Sequence, residues 1–178
     1  INAFRADLTL TFSCYKLCQL LPQTSDFCGE IKVLDIGLPL EDYSYQTIEK
    51  PKTVKRPKNS HKGTFGTVLL MCGSYGMCGA QILSARAALR SGAGIVKAIV
   101  CDKNYSAFTS SVPEAVTIPI ATFPNVPLNV FNSMIRPNIW NSNSLLIGCG
   151  LGRSDATKDL VINTLNCVNI PTVIDADG

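Results

Sequence analysis

Two stretches of this 178-residue chain combine residue types suited to holding an anion. The first is Gly73-Ser-Tyr-Gly76-Met-Cys-Gly79. It follows the apolar run Thr67–Cys72 and precedes Ala80–Ser91, a run of strong helix formers. Glycine admits positive φ and lets a ligand come close to the backbone. A helix start adds unpaired N–H groups and a partial positive charge. Together they suit a phosphate or another anionic group. The spacing is GxxGxxG, neither the dinucleotide fingerprint GxGxxG nor a Walker sequence. A tight turn that needs glycine only for packing is the alternative. The second stretch, Gly148-Cys-Gly150-Leu-Gly152, lies between the strand-like Ser144–Ile147 and a helix over Asp155–Asn166. Ser154 is placed to cap that helix, and Asp155 lies in its first turn. Two such turns at the carboxyl ends of parallel strands point to one crevice above a sheet. Asp175 and Asp177 follow a third strand, Thr172–Ile174. Carboxylates there suit a hydroxyl or a metal-bound phosphate, or cap a turn.

Other candidates carry less. Arg86 and Arg90 share a helix face at i, i+4 and read as surface or interface residues. His61 is the single histidine and reads as structural. The eight cysteines (14, 18, 28, 72, 78, 101, 149 and 167) include no CxxC pair. Cys14 and Cys18 form CxxxC without the second half of a zinc site. They read as free thiols that pack as small hydrophobes in a cytoplasmic protein. Six basic residues and no acidic one fall between Lys50 and Lys62, leaving ten basic against thirteen acidic elsewhere. A generally basic surface for nucleic acid is not expected. No apolar run approaches the ~20 residues that span a membrane, and no signal peptide is visible. Ile1 stands where Met would open a complete chain, so a piece of a longer protein is expected.

The elements that must position these residues alternate strand with helix. Ala6–Phe12 and Glu30–Ile36 read as strands, and residues 41–60, with Pro51, Pro57 and the basic cluster, read as a linker. Beyond it, Thr67–Cys72 reads as a strand buried on both faces. Arg90 in the last turn and Gly92 just past it stop the first helix. Gly94–Val100 is the next strand, Ala115–Ile118 a weaker one, and Val126–Ile135 a helix. The pattern predicts an α/β fold with a mainly parallel sheet and helices on its faces.

These residues also resemble a known family. His61-Lys-Gly-Thr-Phe-Gly-Thr-Val-Leu-Leu70, the Gly73–Ala80 loop, Ala85-Arg-Ala-Ala-Leu-Arg-Ser-Gly-Ala-Gly94, Val112-Pro-Glu114, Ile147-Gly-Cys-Gly-Leu-Gly152 and Ile174-Asp-Ala-Asp-Gly178 come in the order seen in the ADP/ATP-dependent NAD(P)H-hydrate dehydratases. Arg5-Ala-Asp-Leu-Thr-Leu-Thr-Phe12, Leu20-Leu-Pro22, Cys28-Gly-Glu30 and Asp35-Ile-Gly-Leu-Pro39 resemble the tail of an NAD(P)H-hydrate epimerase domain. The two are often fused in this order. The resemblance implies a ribokinase-like three-layer α/β/α fold, incomplete here. It implies an epimerase tail over 1–40, a linker over 41–60 and the N-terminal half of a dehydratase domain over 61–178. The activity it implies is repair of nicotinamide cofactor hydrated at C6, NAD(P)HX, with ADP or ATP and Mg2+. The substrate-side residues would be Gly79, Ala80, Gly148, Gly150, Gly152, Asp175 and Asp177. A homo-oligomer is a further implication.

The family continues beyond Asp-Ala-Asp-Gly to a Gly-Thr-Gly-Asp loop that carries nucleotide contacts and the catalytic Asp. No catalytic residue is therefore assigned within these 178 residues, and the segment by itself is expected to be inactive. Cys149 stands where proline is usual and is expected to loosen the second turn; Met77-Cys78 replace the commoner Tyr-Thr or Tyr-Ser. A small-metabolite kinase of the same fold and a non-catalytic nucleotide-binding half-domain stay open beside the repair enzyme.

Overall fold

The computed structural model describes residues 3–38 and 56–178. They fall into two units, one within Ile1–Val54 and one within Lys55–Gly178. The expected linker lies outside the described residues as far as residue 55.

In the first unit, β1 (Leu8–Phe12) runs parallel to β2 (Glu30–Leu34), with Leu8 opposite Glu30 and Phe12 opposite Leu34. Two single-turn helices connect them, α1 (Leu17–Leu20) and α2 (Pro22–Ser25). Leu17, Leu20 and Leu21 stand at helical spacing, but the run stops at Pro22 after a single turn, too short to announce a helix. Thr9 Oγ1 donates to the Cys28 carbonyl at 2.6 Å, across the pair.

The second unit is built on a five-stranded, wholly parallel sheet in the order β5-β4-β3-β6-β7. Its strands are β3 (Thr67–Met71), β4 (Ile95–Val100), β5 (Val116–Pro119), β6 (Ser144–Ile147) and β7 (Thr172–Ile174). The chain starts at the central strand, winds outward through β4 and β5, then returns to the other side of β3 for β6 and β7. The boundary between β3 and β6 is thus the point where the winding reverses.

Successive side chains of a strand point to opposite faces, and β3 supplies both cores. Leu69 and Met71 join Ile99, Leu145, Ile147, Phe131, Ile135 and Ile139 on one face. Leu70 and Cys72 join Val96, Ala98, Val100, Ala85 and Phe108 on the other. Helix α3 (Cys78–Ser91) and α4 (Tyr105–Ser111) cover the second face. The first face is covered by α5 (Leu128–Val130), a π turn (Phe131–Ile135), α6 (Arg136–Trp140) and α7 (Asp155–Leu165). The three layers match the fold expected.

Helix α3 begins two residues earlier than its helix formers suggest. It ends as expected at Gly92, whose φ of 107° suits glycine and whose N–H caps Leu89 at 3.1 Å. The helix expected over Val126–Ile135 is instead broken into three pieces and carried on to Trp140 through Pro137. Proline is tolerated there because it sits in the first turn of α6. Helix α4 has no mark in the sequence: Tyr105-Ser-Ala-Phe-Thr-Ser-Ser111 buries only Phe108, too little to show a period. Among the described residues no helix is long and apolar enough to cross a membrane.

Candidate functional site

The two glycine turns leave the tips of β3 and β6, which are hydrogen-bonded neighbours. That places them at the reversal point of the sheet, where ligands of open α/β folds bind. The turns are also tied to each other. The Gly73 N–H donates to the Cys149 carbonyl at 2.9 Å, and Ser74 Oγ donates to the Gly150 carbonyl at 3.0 Å. A β-carbon on Gly150 would come within 2.9 Å of Ala80 Cβ and 3.2 Å of Met77 Cβ. The start of α3 therefore rests directly on the second turn.

The glycines play two different parts. Gly148, at φ 122°, is buried against the backbone of the β7 turn, where any β-carbon would overlap the Asp175 carbonyl oxygen. Gly150, at φ 69°, is filled from the α3 side. Packing accounts for both. Gly79 has open space where its β-carbon would be, and Gly152 meets only Ser74 Oγ at 3.9 Å. Gly79 is the second residue of α3, so its N–H has no partner within the helix. Ala80 follows it, half-buried.

Asp175 and Asp177 join the same place from β7. The Cys149 thiol donates to Asp175 Oδ2 at 3.2 Å, and Gly152 N–H donates to Asp177 Oδ2 at 3.0 Å. Arg153 Nε reaches Asp177 Oδ1 at 3.3 Å. All seven residues singled out in the sequence thus lie on the two turns, the start of α3 and the end of β7. The expectation that Cys149 loosens its turn is not met, since its carbonyl and its thiol are both engaged. Burial, and next the adjacent Cys149, push the buried Cys72 thiol up to about 12. Burial, and next the bond to Asp175, raise Cys149 as well. Both sulfurs stay protonated at neutral pH, which suits packing and not nucleophilic attack.

Sequence reasoning missed two buried polar residues at the first turn, of which Asn104 is bonded to it and Gln81 packs under Gly73. Gln81 is fully buried below it, with Nε2 donating to the Ile99 carbonyl. Asn104 is buried beside it, with Nδ2 donating to the Ser74 carbonyl at 2.8 Å. Only an isolated polar residue after a glycine turn or an apolar strand could have flagged them. Of the weaker candidates, Arg86 spends its guanidinium on the Ser111 carbonyl at 3.1 Å. His61 caps the turn Lys62–Phe65, its Nδ1 accepting from Gly63 N–H at 3.1 Å.

A family model described as NAD(P)H-hydrate dehydratase matches residues 68–178, the segment that carries both turns. The chain belongs to the NAD(P)H-hydrate dehydratase family. A bifunctional NAD(P)H-hydrate repair enzyme of Moorella thermoacetica is 31% identical over 187 residues, covering 98% of this chain and 35% of the relative. An ADP-dependent (S)-NAD(P)H-hydrate dehydratase of Neisseria meningitidis is 36% identical over 125 residues, covering 69% of this chain and 38% of the relative. The chain thus spans about a third of the length of the curated relatives it matches. Among solved structures, a ribokinase-like superfamily protein from Enterococcus faecalis aligns with a TM-score of 0.57 at 27% identity, over 67% of this chain and 39% of that one. An ADP/ATP-dependent NAD(P)H-hydrate dehydratase from Bacillus subtilis, co-crystallised with ATP and Mg2+, aligns with a TM-score of 0.54 at 26% identity, over 69% and 41%. The dehydratase segment is accordingly ribokinase-like. Among the described residues, no group of three or more His, Cys, Asp or Glu is arranged to hold a metal ion. With Asp175 and Asp177 engaged by Cys149, Gly152 and Arg153, these residues do not form a Mg2+ site.

Proposed function

We propose that this chain forms the hydrate-binding side of an ADP- or ATP-dependent NAD(P)H-hydrate dehydratase. The observation that carries the reading is the pair of glycine turns stitched together at the reversal point, with open backbone at Gly79 and Gly152. Gly79, Ala80, Gly148, Gly150, Gly152, Asp175 and Asp177 are assigned to that wall. Gly79 and Gly152 meet the ligand, whereas Gly148, Gly150 and Asp177 hold the turns that present it.

The chemistry asked of the site is the loss of water from a hydrated nicotinamide. Hydroxide leaves poorly. Phosphoryl transfer from the nucleotide to the C6 oxygen turns it into a phosphate, which departs with the C–O electron pair as C5 gives up a proton. Such transfer rests mainly on positioning and charge stabilisation. The part of these residues is to bind and orient the hydrate.

Residues 1–40 are read as the tail of an epimerase domain, 41–60 as a linker and 61–178 as the dehydratase segment. The bifunctional relative of Moorella aligns over 98% of the chain, the first unit included, whereas the Neisseria dehydratase aligns over 69%. That difference supports a protein that both epimerises and dehydrates NAD(P)HX. Eight free thiols support a cytoplasmic setting, and a homo-oligomer is the assembly proposed.

The test is to take residues 1–178 alone, expected to be inactive, as the control, and to incubate the protein at the length of its bifunctional relatives with NADPHX and either ADP or ATP, following the absorbance of reduced nicotinamide. Nucleotide-dependent recovery is expected. Absence of recovery with both nucleotides overturns the reading, and phosphorylation of a simple alcohol instead would identify a metabolite kinase.

A further inference from the structure

Beside the first glycine turn stands a cation, Lys103, that no ion pair among the described residues neutralises. Lys103 lies on the short turn Asp102–Asn104 at the tip of β4, the strand on the other side of β3 from β6. That turn is fastened to the first glycine turn: Asn104, only 5% exposed, donates to the Ser74 carbonyl at 2.8 Å. The Asn104 carbonyl also faces the Cys78 thiol, at the first residue of α3, at 3.9 Å. The Lys103 ammonium sits 4.6 Å from the centroid of the Tyr75 ring. Tyr75 itself is 72% exposed, an unusual state for an aromatic on a rigidly held turn. Next to it Gly76, at φ 84°, has open space on its side-chain side, as has Gly79.

Charge decides what this lip is fit to meet. Among the described residues Lys103 forms no ion pair, not even with its neighbour Asp102. The ring face holds the ammonium by cation–π attraction and consumes no acceptor. An ammonium carries three donors, so those turned away from the ring stay free for an anion. Beyond β6, at the tip of β7, Asp177 is matched by Arg153. The lip formed by Tyr75 and Lys103 is therefore positive, flat and outward-facing. A dinucleotide brings planar rings and a doubly charged pyrophosphate.

We propose that Lys103 is a binding and specificity residue that ion-pairs with a phosphate of the hydrated dinucleotide, while Tyr75 aims its ammonium and packs against the ligand. This rests on the function proposed above. The shared chemistry is phosphate, supplied either by the pyrophosphate bridge or by the additional ribose phosphate of the NADPH form.

The experiment compares Lys103→Gln with the unaltered chain, both carried in the protein at the length of its bifunctional relatives, using NADPHX and NADHX in turn. The substitution is expected to raise the KM for the hydrate about three- to tenfold, with kcat within twofold and the KM for ADP unmoved. The KM of the unaltered chain climbs with salt, and that dependence flattens in the variant. Lys103→Arg restores the KM, and Tyr75→Ala raises it. A rise confined to NADPHX assigns the contact to the ribose phosphate; an equal rise with both hydrates assigns it to the pyrophosphate. An unchanged KM with both hydrates, or a fall in kcat at constant KM, overturns the proposal while the unaltered chain still dehydrates. If the unaltered chain recovers neither hydrate, the functional reading fails and takes this proposal with it. Thermal melts of each variant confirm that the fold is intact.

Discussion

The two glycine turns share a composition and a place in the fold, yet they divide their glycines differently between scaffold and open surface. In the turn after β6, two of the three glycines are demanded from inside the protein: Gly148 is pressed against the β7 backbone and Gly150 against Ala80 and Met77, while Gly152 stays open. In the turn after β3, Gly73 is the crowded one, with Gln81 Cβ 2.9 Å from where its β-carbon would lie, while Gly76 and Gly79 face open space. A glycine that no neighbour crowds is free to serve a ligand, and one that is crowded serves the scaffold. The motif alone does not tell the two apart; the position where the missing β-carbon would fall does.

The largest way to break this contrast is Gly148→Ala. The new methyl would overlap the Asp175 carbonyl at a φ of 122°. A stability loss of about 3 kcal/mol or more is expected, seen as a lowered urea midpoint. Gly150→Ala comes next, costing about 2 kcal/mol, because its methyl would stand 2.9 Å from Ala80 Cβ. Adding Ala80→Gly should recover part of that loss in a double-mutant cycle; strictly additive losses would show that the two turns do not press on each other.

A third check uses pH. Cys72 ionises at about 12 in the folded chain, raised first by burial, whereas an unfolded thiol ionises near ~8.5. The buried thiol therefore favours the fold fully below the unfolded value, and that contribution drains away as pH rises towards 12. The decline approaches about 1.4 kcal/mol per pH unit for a single group. Denaturant titrations above pH 9 should show a flatter decline in Cys72→Ala, measured against its own neutral-pH stability. The smallest effect on stability belongs to Gly79→Ala. Alanine suits a helix better than glycine by up to about 1 kcal/mol, and no atom stands in its way. The melting temperature should hold or rise while the KM for the hydrate increases. A fall in melting temperature would place Gly79 with the scaffold glycines.

Much of this arrangement could be read from the residues, and the exceptions share a cause. Strands β3, β4, β6 and β7 are apolar runs closed by glycine, proline or aspartate, and helices α3 and α7 carry caps at Gly92 and Ser154. Local chemistry marks such elements. Helix α4, the π turn and the two helical turns between β1 and β2 are fixed by what they pack against, so their sequences show little periodicity. The same division runs through the site. Gly79 and Gly150 could be named from the turns they occupy, whereas the packing of Gly150 on Ala80 and Met77 rests on a strand order that only the fold supplies. Gln81 and Asn104 could not, because each is an ordinary polar residue until the fold encloses it. Nor could spacing show that the carboxylates of Asp175 and Asp177 are spent on Cys149, Gly152 and Arg153.

The seam between Ser74 and Gly150 joins residues 76 positions apart. Closing so long a loop is entropically costly, and distant strand pairing is slow compared with local helix formation. During synthesis β3, α3 and β4 emerge and can fold together well before β6 exists. The crevice is thus a late product of folding, assembled only once β6 docks on the opposite flank of β3. Any slowing of that docking delays the appearance of binding capacity without touching a residue that meets the ligand.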